Sequence, residues 1–183
     1  MAALYADVRT MGRTDPAAAH AHWRRARDDL FGGHPQTALT LEQQARFAGL
    51  RYYPYNPAFA LEAEVIRDEE PPPAPGPGRF HRIGFVATPI GRLALYWIDD
   101  YAGGLFLPFR DATAGDTTYG GGRYLLDSAK SADLGSTPDG KLVLDFNFAY
   151  HPSCHYNPAW VCPLAPLENR LAVRVEAGEM AYS

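Results

Sequence analysis

The sequence predicts a mainly β, α+β fold: a small antiparallel β-barrel or sandwich of about seven strands with two N-terminal helices packed on it. Three observations predict it. After Arg51 the chain runs in short alternating apolar and polar stretches separated by Gly, Pro and Asp, the signature of antiparallel sheet. Before Arg51, two segments carry helical start and stop signals. A length of 183 residues with 46% hydrophobic and 13% aromatic content is enough for one core of ordinary size, so residues 1–183 are expected to form a single domain.

Asp15-Pro16 reads as an N-cap with proline at the first helical position, and Ala19, Trp23, Ala26 and Leu30 then recur on one face until Gly32-Gly33 stops the helix. His22, Arg24, Arg25, Arg27 and Asp28 form the opposite face, expected to be solvated. A shorter helix starts at Thr40, with Gln43 completing a capping box, and ends near Gly49. Together, residues 14–50 read as a helical clasp on a β-domain spanning 51–183. Strands are expected over 61–67, 80–88, 92–99, 104–110, 124–129, 141–149 and 171–176. A Pro/Gly linker at 71–78 separates the first two, Pro89-Ile90-Gly91 makes a tight hairpin, and residues 99–103 turn into the next strand. Both faces of 92–99 are apolar, which predicts a central strand covered by core on one side and by the helices on the other. The segments 111–123 and 150–170 are left as long loops.

The net charge of -4 offers no basic field for nucleic acid, and lysine occurs only twice. The N-terminus lacks a cationic start followed by an apolar run, and no stretch is long and apolar enough to span a bilayer, so neither leader nor membrane association is expected. Two cysteines do not make a disulfide scaffold, and a reducing cytoplasmic location is the expectation.

Residues 145–169 concentrate the groups that bind or react: both cysteines, His151, His155, Asp145, Glu168, three asparagines and four of the chain's prolines. Strand alternation over 141–149 points Asp145 and Asn147 the same way, which suits a pocket where a polar ligand is oriented or a proton moved; equally, Asp145 accepts hydrogen bonds from the loop that follows. His151, Cys154, His155 and Cys162 are all good metal ligands, but the spacing lacks the short C-x2-C knuckle that holds two thiolates on one turn. A disulfide and two packed thiols are the alternatives. The loop at 111–123 ends in three glycines and Arg123, where backbone can approach a ligand and the guanidinium can hold an anion; the plainer reading has Arg123 bridging to Asp145 or Glu168. No phosphate-binding Gly-Lys-Ser follows. If Glu168 faces Asp145, the pair would supply an acid and a base.

The stretches FLPFRDATAGDTTYGGGRYLLD and LDFNFAYHPSCHYNPAWVCPLAPLENRLAVRVEAGE resemble the bacterial and archaeal family of unknown function DUF1684. The resemblance covers residues 79–179 closely, and FAGLRYYP before them more loosely. It implies a compact β-rich fold and no particular activity. Among the matching positions are Asp111, Tyr119, Arg123, Asp145, Asn147, Cys154, Tyr156, Cys162, Glu168 and Asn169. Where the family reads Asn-Pro, this chain has His151-Pro152, which adds a titratable group.

The expectation is therefore a small-molecule-binding protein, either an enzyme or a binder, with its pocket where the Gly-rich and Cys/His loops converge. In it Asp145 and Glu168 act as acid or base, and His151 as a proton carrier. Arg123 anchors an anion or carbonyl, and Tyr119, Asn147, Tyr156 and Asn169 line and orient. No nucleotide-cofactor fingerprint appears, so hydrolysis, isomerisation or cyclisation without a cofactor is the chemistry implied. The contrasting reading is a non-enzymatic interaction module whose polar cluster pins the long loop, and a third is a metal-binding protein. A homodimer is compatible with either of the first two.

Overall fold

The computed structural model describes residues 1–70, 80–99 and 103–182. The expected 71–78 linker and the middle of the 99–103 turn lie outside them.

Among the described residues, three α-helices precede the sheets, one more than predicted. The additional one, α1 (Ala2–Gly12), has no side-chain cap to announce it. Its Leu4, Tyr5, Val8 and Met11 recur at helical spacing, and Tyr5 and Val8 are buried. Helix α2 (Pro16–Gly33) starts as expected, with the Asp15 carboxylate accepting from Ala18 N–H. Trp23 donates to the Tyr5 hydroxyl at 3.1 Å and locks the two helices together. Helix α3 (Leu41–Ala45) carries the complete Thr40/Gln43 capping box. The solvated face expected for α2 needs one correction. The stripe that packs inward is Ala19, Trp23, Arg27, Phe31, one residue every fourth, so Arg27 is buried.

Among the described residues, seven strands form two antiparallel sheets, neither closed into a barrel. The smaller pairs β1 (Ala60–Ala63) with β7 (Leu142–Asp145). The larger has the order β2 (Val65–Arg67), β3 (Phe80–Thr88), β4 (Gly91–Ile98), β5 (Gly104–Phe109), β6 (Arg123–Asp127). The expected 61–67 strand is thus two strands, broken at Glu64, one in each sheet. Leu93, Leu95, Leu107 and Phe109 of the larger sheet and Ala63, Leu142 and Leu144 of the smaller meet in one core, the sandwich side of the prediction. Closure into a barrel fails for local reasons. Pro108 lacks an N–H and sits at a register shift between β5 and β6, while β7 stops after four residues because Asp145 caps a 3-10 turn at Phe146–Phe148. The expected alternation over 141–149 is therefore overturned beyond Asp145 by this local side-chain-to-backbone bond.

Strand β4 is central, as predicted, but its second face is not covered by helices. On that face Ala94 and Tyr96 are buried in a cluster with Phe80, Phe106 and Tyr124, while Asn169 satisfies the strand's backbone: Ala94 N–H donates to Asn169 Oδ1 at 2.7 Å, and Asn169 Nδ2 donates to the carbonyls of Ala94 and Pro108. Its carboxamide bridges β4 and β5 where their own ladder has ended. Residues 171–176, expected as a strand, join no sheet. Leu171 N–H donates to the Arg110 carbonyl at 2.7 Å and Ala112 N–H to the Val173 carbonyl at 3.0 Å, but at Val175 side chains take over: its N–H donates to Asp111 at 2.7 Å and its carbonyl accepts from Arg123 at 2.9 Å. Among the described residues, no helix is long and apolar enough to cross a membrane.

Candidate functional site

A cleft of about 730 Å³ opens between α1, the start of α2, the β1/β7 sheet and the 134–138 loop. Val8, Pro16, Leu61, Leu134, Val143 and Phe148 make its walls apolar; Arg9, Arg13 and Glu62 contribute charge, and Tyr55 and Asp145 contribute polar groups. This size and mixture suit a small organic ligand.

Asp145 reaches the cleft because β7 ends on it. Its Oδ1 accepts from the Asn147 backbone N–H at 2.9 Å and from Asn147 Nδ2 at 2.7 Å, which fixes the carboxyl plane. Asn147 also takes the Asn56 N–H on its Oδ1 and donates to the Asn56 carbonyl, holding the 54–58 segment, and so Tyr55, beside the carboxylate. The Tyr55 hydroxyl is 3.5 Å from Asp145 Oδ2 and is the only partner of that oxygen among the described residues. Burial pushes the Asp145 carboxyl above the ordinary range despite the two Asn147 bonds. Burial, and then the Asp145 charge, pushes Tyr55 up to about 12, so its hydroxyl remains a donor at neutral pH. His20 lies behind this pair, its ring 5.6 Å from that of Tyr55 and 5.4 Å from that of Phe148. It bonds the Asn147 backbone, and burial lowers it to about 4, which keeps it neutral; its buried Nε2 has no partner.

The two loops expected to form the pocket do meet, but they meet closed. Tyr119 N–H donates to His151 Nε2 at 3.1 Å, and Ala165 N–H to the Gly121 carbonyl at 3.3 Å. Beneath them Arg123, only 1% exposed, donates to Asp111 at 3.2 Å and to the carbonyls of Val175, Ala177 and Glu179. Its acid is Asp111, neither Asp145 nor Glu168, and its terminal nitrogens are already committed to the protein.

A second buried cluster surrounds Glu179, which the sequence reading missed. Arg27 donates to Glu179 Oε2 at 2.8 Å, the His151 backbone N–H to the same oxygen at 3.0 Å, and the Tyr156 hydroxyl to Oε1. Burial alone would raise this carboxyl, but Arg27, His151 and Tyr156 outweigh it and hold it at about 2. His151 is itself buried, its pKa lowered chiefly by desolvation; its Nδ1 has no hydrogen-bond partner among the described residues and stands 3.9 Å from Glu179. It is thus part of the packed interior, not a group at a pocket wall. Tyr156, expected at a pocket wall, is a ligand of Glu179.

Glu168 lies elsewhere again. It accepts from Tyr96 at 2.5 Å and from Arg82 at 2.9 Å, and Arg82 also pairs with Asp68. Asp145 and Glu168 share no hydrogen-bond partner among the described residues, so the expected carboxylate pair does not form. Cys154 and Cys162 are unjoined thiols in contact, Cys154 N–H lying 3.3 Å from Cys162 Sγ. Burial and the neighbouring thiol push Cys154 up to about 11, the wrong direction for a nucleophile at neutral pH. Among the described residues, no three His, Cys, Asp or Glu side chains gather in a way that could hold a metal ion.

Of the residues singled out from the sequence, the structure brings Asp145 and Asn147 together at the cleft. It places Arg123, His151 and Tyr156 in the buried network, Asn169 between strands, Glu168 on the larger sheet and Tyr119 at the loop junction. Tyr55, His20 and Arg13 were missed at the cleft. The spacing of Ala19, Trp23, Arg27 and Phe31 was the available signal for Arg27.

These features define an α+β domain of two open antiparallel sheets with a lateral cleft carrying one buried carboxyl. The chain belongs to the DUF1684 family, described as a protein of unknown function, whose model matches residues 45–180. It is similar to the solution NMR structure of an uncharacterised protein from Haloarcula marismortui, with 29% identity over 98% of this chain and 97% of that one and a TM-score of 0.61. No curated protein matches. The family match includes Tyr55 and Asp145; the α1 wall of the cleft precedes it.

Proposed function

We propose that the protein binds a small organic molecule in the Asp145 cleft and acts on it by cofactor-independent proton transfer, as an isomerase or cyclase. The observation that carries this reading is a buried carboxyl in a largely apolar cleft, with one oxygen fixed by Asn147 and the other adjoining, among the described residues, only Tyr55. Raising its pKa makes Asp145 a stronger base than an exposed aspartate, and Tyr55 supplies a hydrogen bond to an oxygen on which negative charge develops. Asp145 removes a proton from the substrate and returns it at another atom. Hydrolysis is less well served, because it also needs a positioned water. The proposal includes a reducing, cytoplasmic setting, which the adjacent but unjoined thiols support.

Asp145→Asn tests it. Asparagine retains an oxygen to accept the Asn147 N–H, so the variant is expected to fold, while kcat toward a substrate found by metabolite screening falls by about 10²–10⁴. Undiminished turnover by this variant would exclude Asp145 as the base. Stability gives a second readout. A carboxyl raised in the folded state contributes stability that is fully present below its unfolded value of 3.8 and is lost as pH rises through the folded value. Melting temperatures of wild type and Asp145→Asn across pH 4–9 should therefore diverge in favour of the variant as pH rises.

A further inference from the structure

We infer that the ligand of the cleft is an anionic amphiphile: an apolar chain or ring bearing a carboxylate, with the carboxylate on Arg13 and the apolar body against Leu61, Val143 and Phe148. This rests on the reading of the cleft as the binding site and deepens it. The walls offer hydrocarbon on both the helix side and the sheet side. A ligand must be mostly apolar to gain from burial there.

The charges at the cleft then fix its polarity. Arg9 and Arg13 stand one turn apart at the end of α1 and line the same cleft. Arg9 is engaged, donating to the Asp133 carbonyl at 2.9 Å with the Asp133 carboxylate 3.7 Å away. Arg13 is exposed and makes no hydrogen bond or ion pair among the described residues, so its five donors remain open to a ligand. Glu62, from β1, is exposed on the sheet side and disfavours an anion there. Asp145 is held above the ordinary carboxyl range and would repel a second carboxylate once ionised. An anionic head is therefore directed to the α1 side, and the reacting part of the molecule toward Asp145 and Tyr55.

The probes are 4-phenylbutyrate, its neutral counterpart 4-phenylbutanol, and acetate, titrated calorimetrically against the full chain. The proteins are wild type, Arg13→Gln and Val143→Trp, the last placing an indole in the cleft. Phenylbutyrate is expected to bind wild type more tightly than phenylbutanol, to lose about three- to tenfold in Arg13→Gln, and to weaken with added salt. Phenylbutanol should bind wild type and Arg13→Gln alike, acetate should not bind, and Val143→Trp should abolish both phenyl ligands. If the acid and alcohol bind wild type equally and Arg13→Gln changes neither, the anion assignment is wrong while the cleft reading stands. If Val143→Trp leaves both affinities unchanged, the cleft reading itself fails. Binding of neither phenyl probe to wild type overturns the inference.

Discussion

Replacing Glu179 by glutamine is expected to destabilise the protein by about 3–5 kcal/mol, read from the midpoint of urea unfolding at neutral pH. The carboxylate is fully buried and, among the described residues, is the only acid paired with Arg27, itself 4% exposed. Glutamine keeps an oxygen for one neighbour but turns an amide toward the others, leaving a buried guanidinium without a counter-charge. Total stabilities run to about 5–15 kcal/mol, so the loss is a large share of the whole. The pH dependence has a definite sign. The Glu179 pKa is lowered from 4.5 to about 2 in the fold, so its contribution is present above pH 4.5 and is lost as pH falls through about 2. The variant should lose this part of the acid sensitivity along with the stability.

Arg123→Met should cost a similar amount, about 3–5 kcal/mol, for a related reason. Methionine preserves most of the volume beside Phe109 but strands the Asp111 carboxylate, 2% exposed, together with the carbonyls of Val175 and Ala177. Asp111 would keep the Thr113 hydroxyl and the Val175 N–H. The double variant Asp111→Leu, Arg123→Met removes the orphaned charge and should recover part of the loss, which a double-mutant cycle measures directly. Both experiments address one point: the polar residues near the loop junction hold the C-terminal segment in place. Asp145→Asn, in contrast, is expected to leave the fold intact.

Local signals carried most of the fold. β3 was legible residue for residue because its apolar run is bounded by clear punctuation, and the caps at Asp15 and Thr40 stand where their side chains predict them. Legibility failed where a side chain competes with a backbone pattern. Asp145 ends β7 by accepting from Asn147, although alternation continues through Ala149. Residues 171–176 read as a strand, yet their backbone pairing with Arg110 and Ala112 gives way at Val175 to the side chains of Asp111 and Arg123, more than 50 positions earlier. The barrel expectation assumed that both would continue as strands. α1 was missed because it lacks a capping side chain, though its apolar spacing was in view.

The site divides along the same line. Asp145 and Asn147 were legible because they sit two residues apart and interact locally. Tyr55 is carried to them by the Asn147–Asn56 bonds, 91 residues apart, and Arg13 arrives through the packing of α1 on α2. Glu179 was overlooked because nothing in its own neighbourhood marks it as buried; its partners are His151, Tyr156 and Arg27, the last 152 residues away.

Whether the Asp145 cleft or the junction of the two loops is the binding site can be read from ligand-observed NMR with a metabolite library. The samples are wild type, Val143→Trp in the cleft, and Tyr119→Phe at the junction. Binding in the cleft is expected to give ligands whose saturation-transfer signals persist in Tyr119→Phe and vanish in Val143→Trp. Signals that survive Val143→Trp and vanish in Tyr119→Phe would contradict it and return the site to the Gly-rich and Cys/His loops.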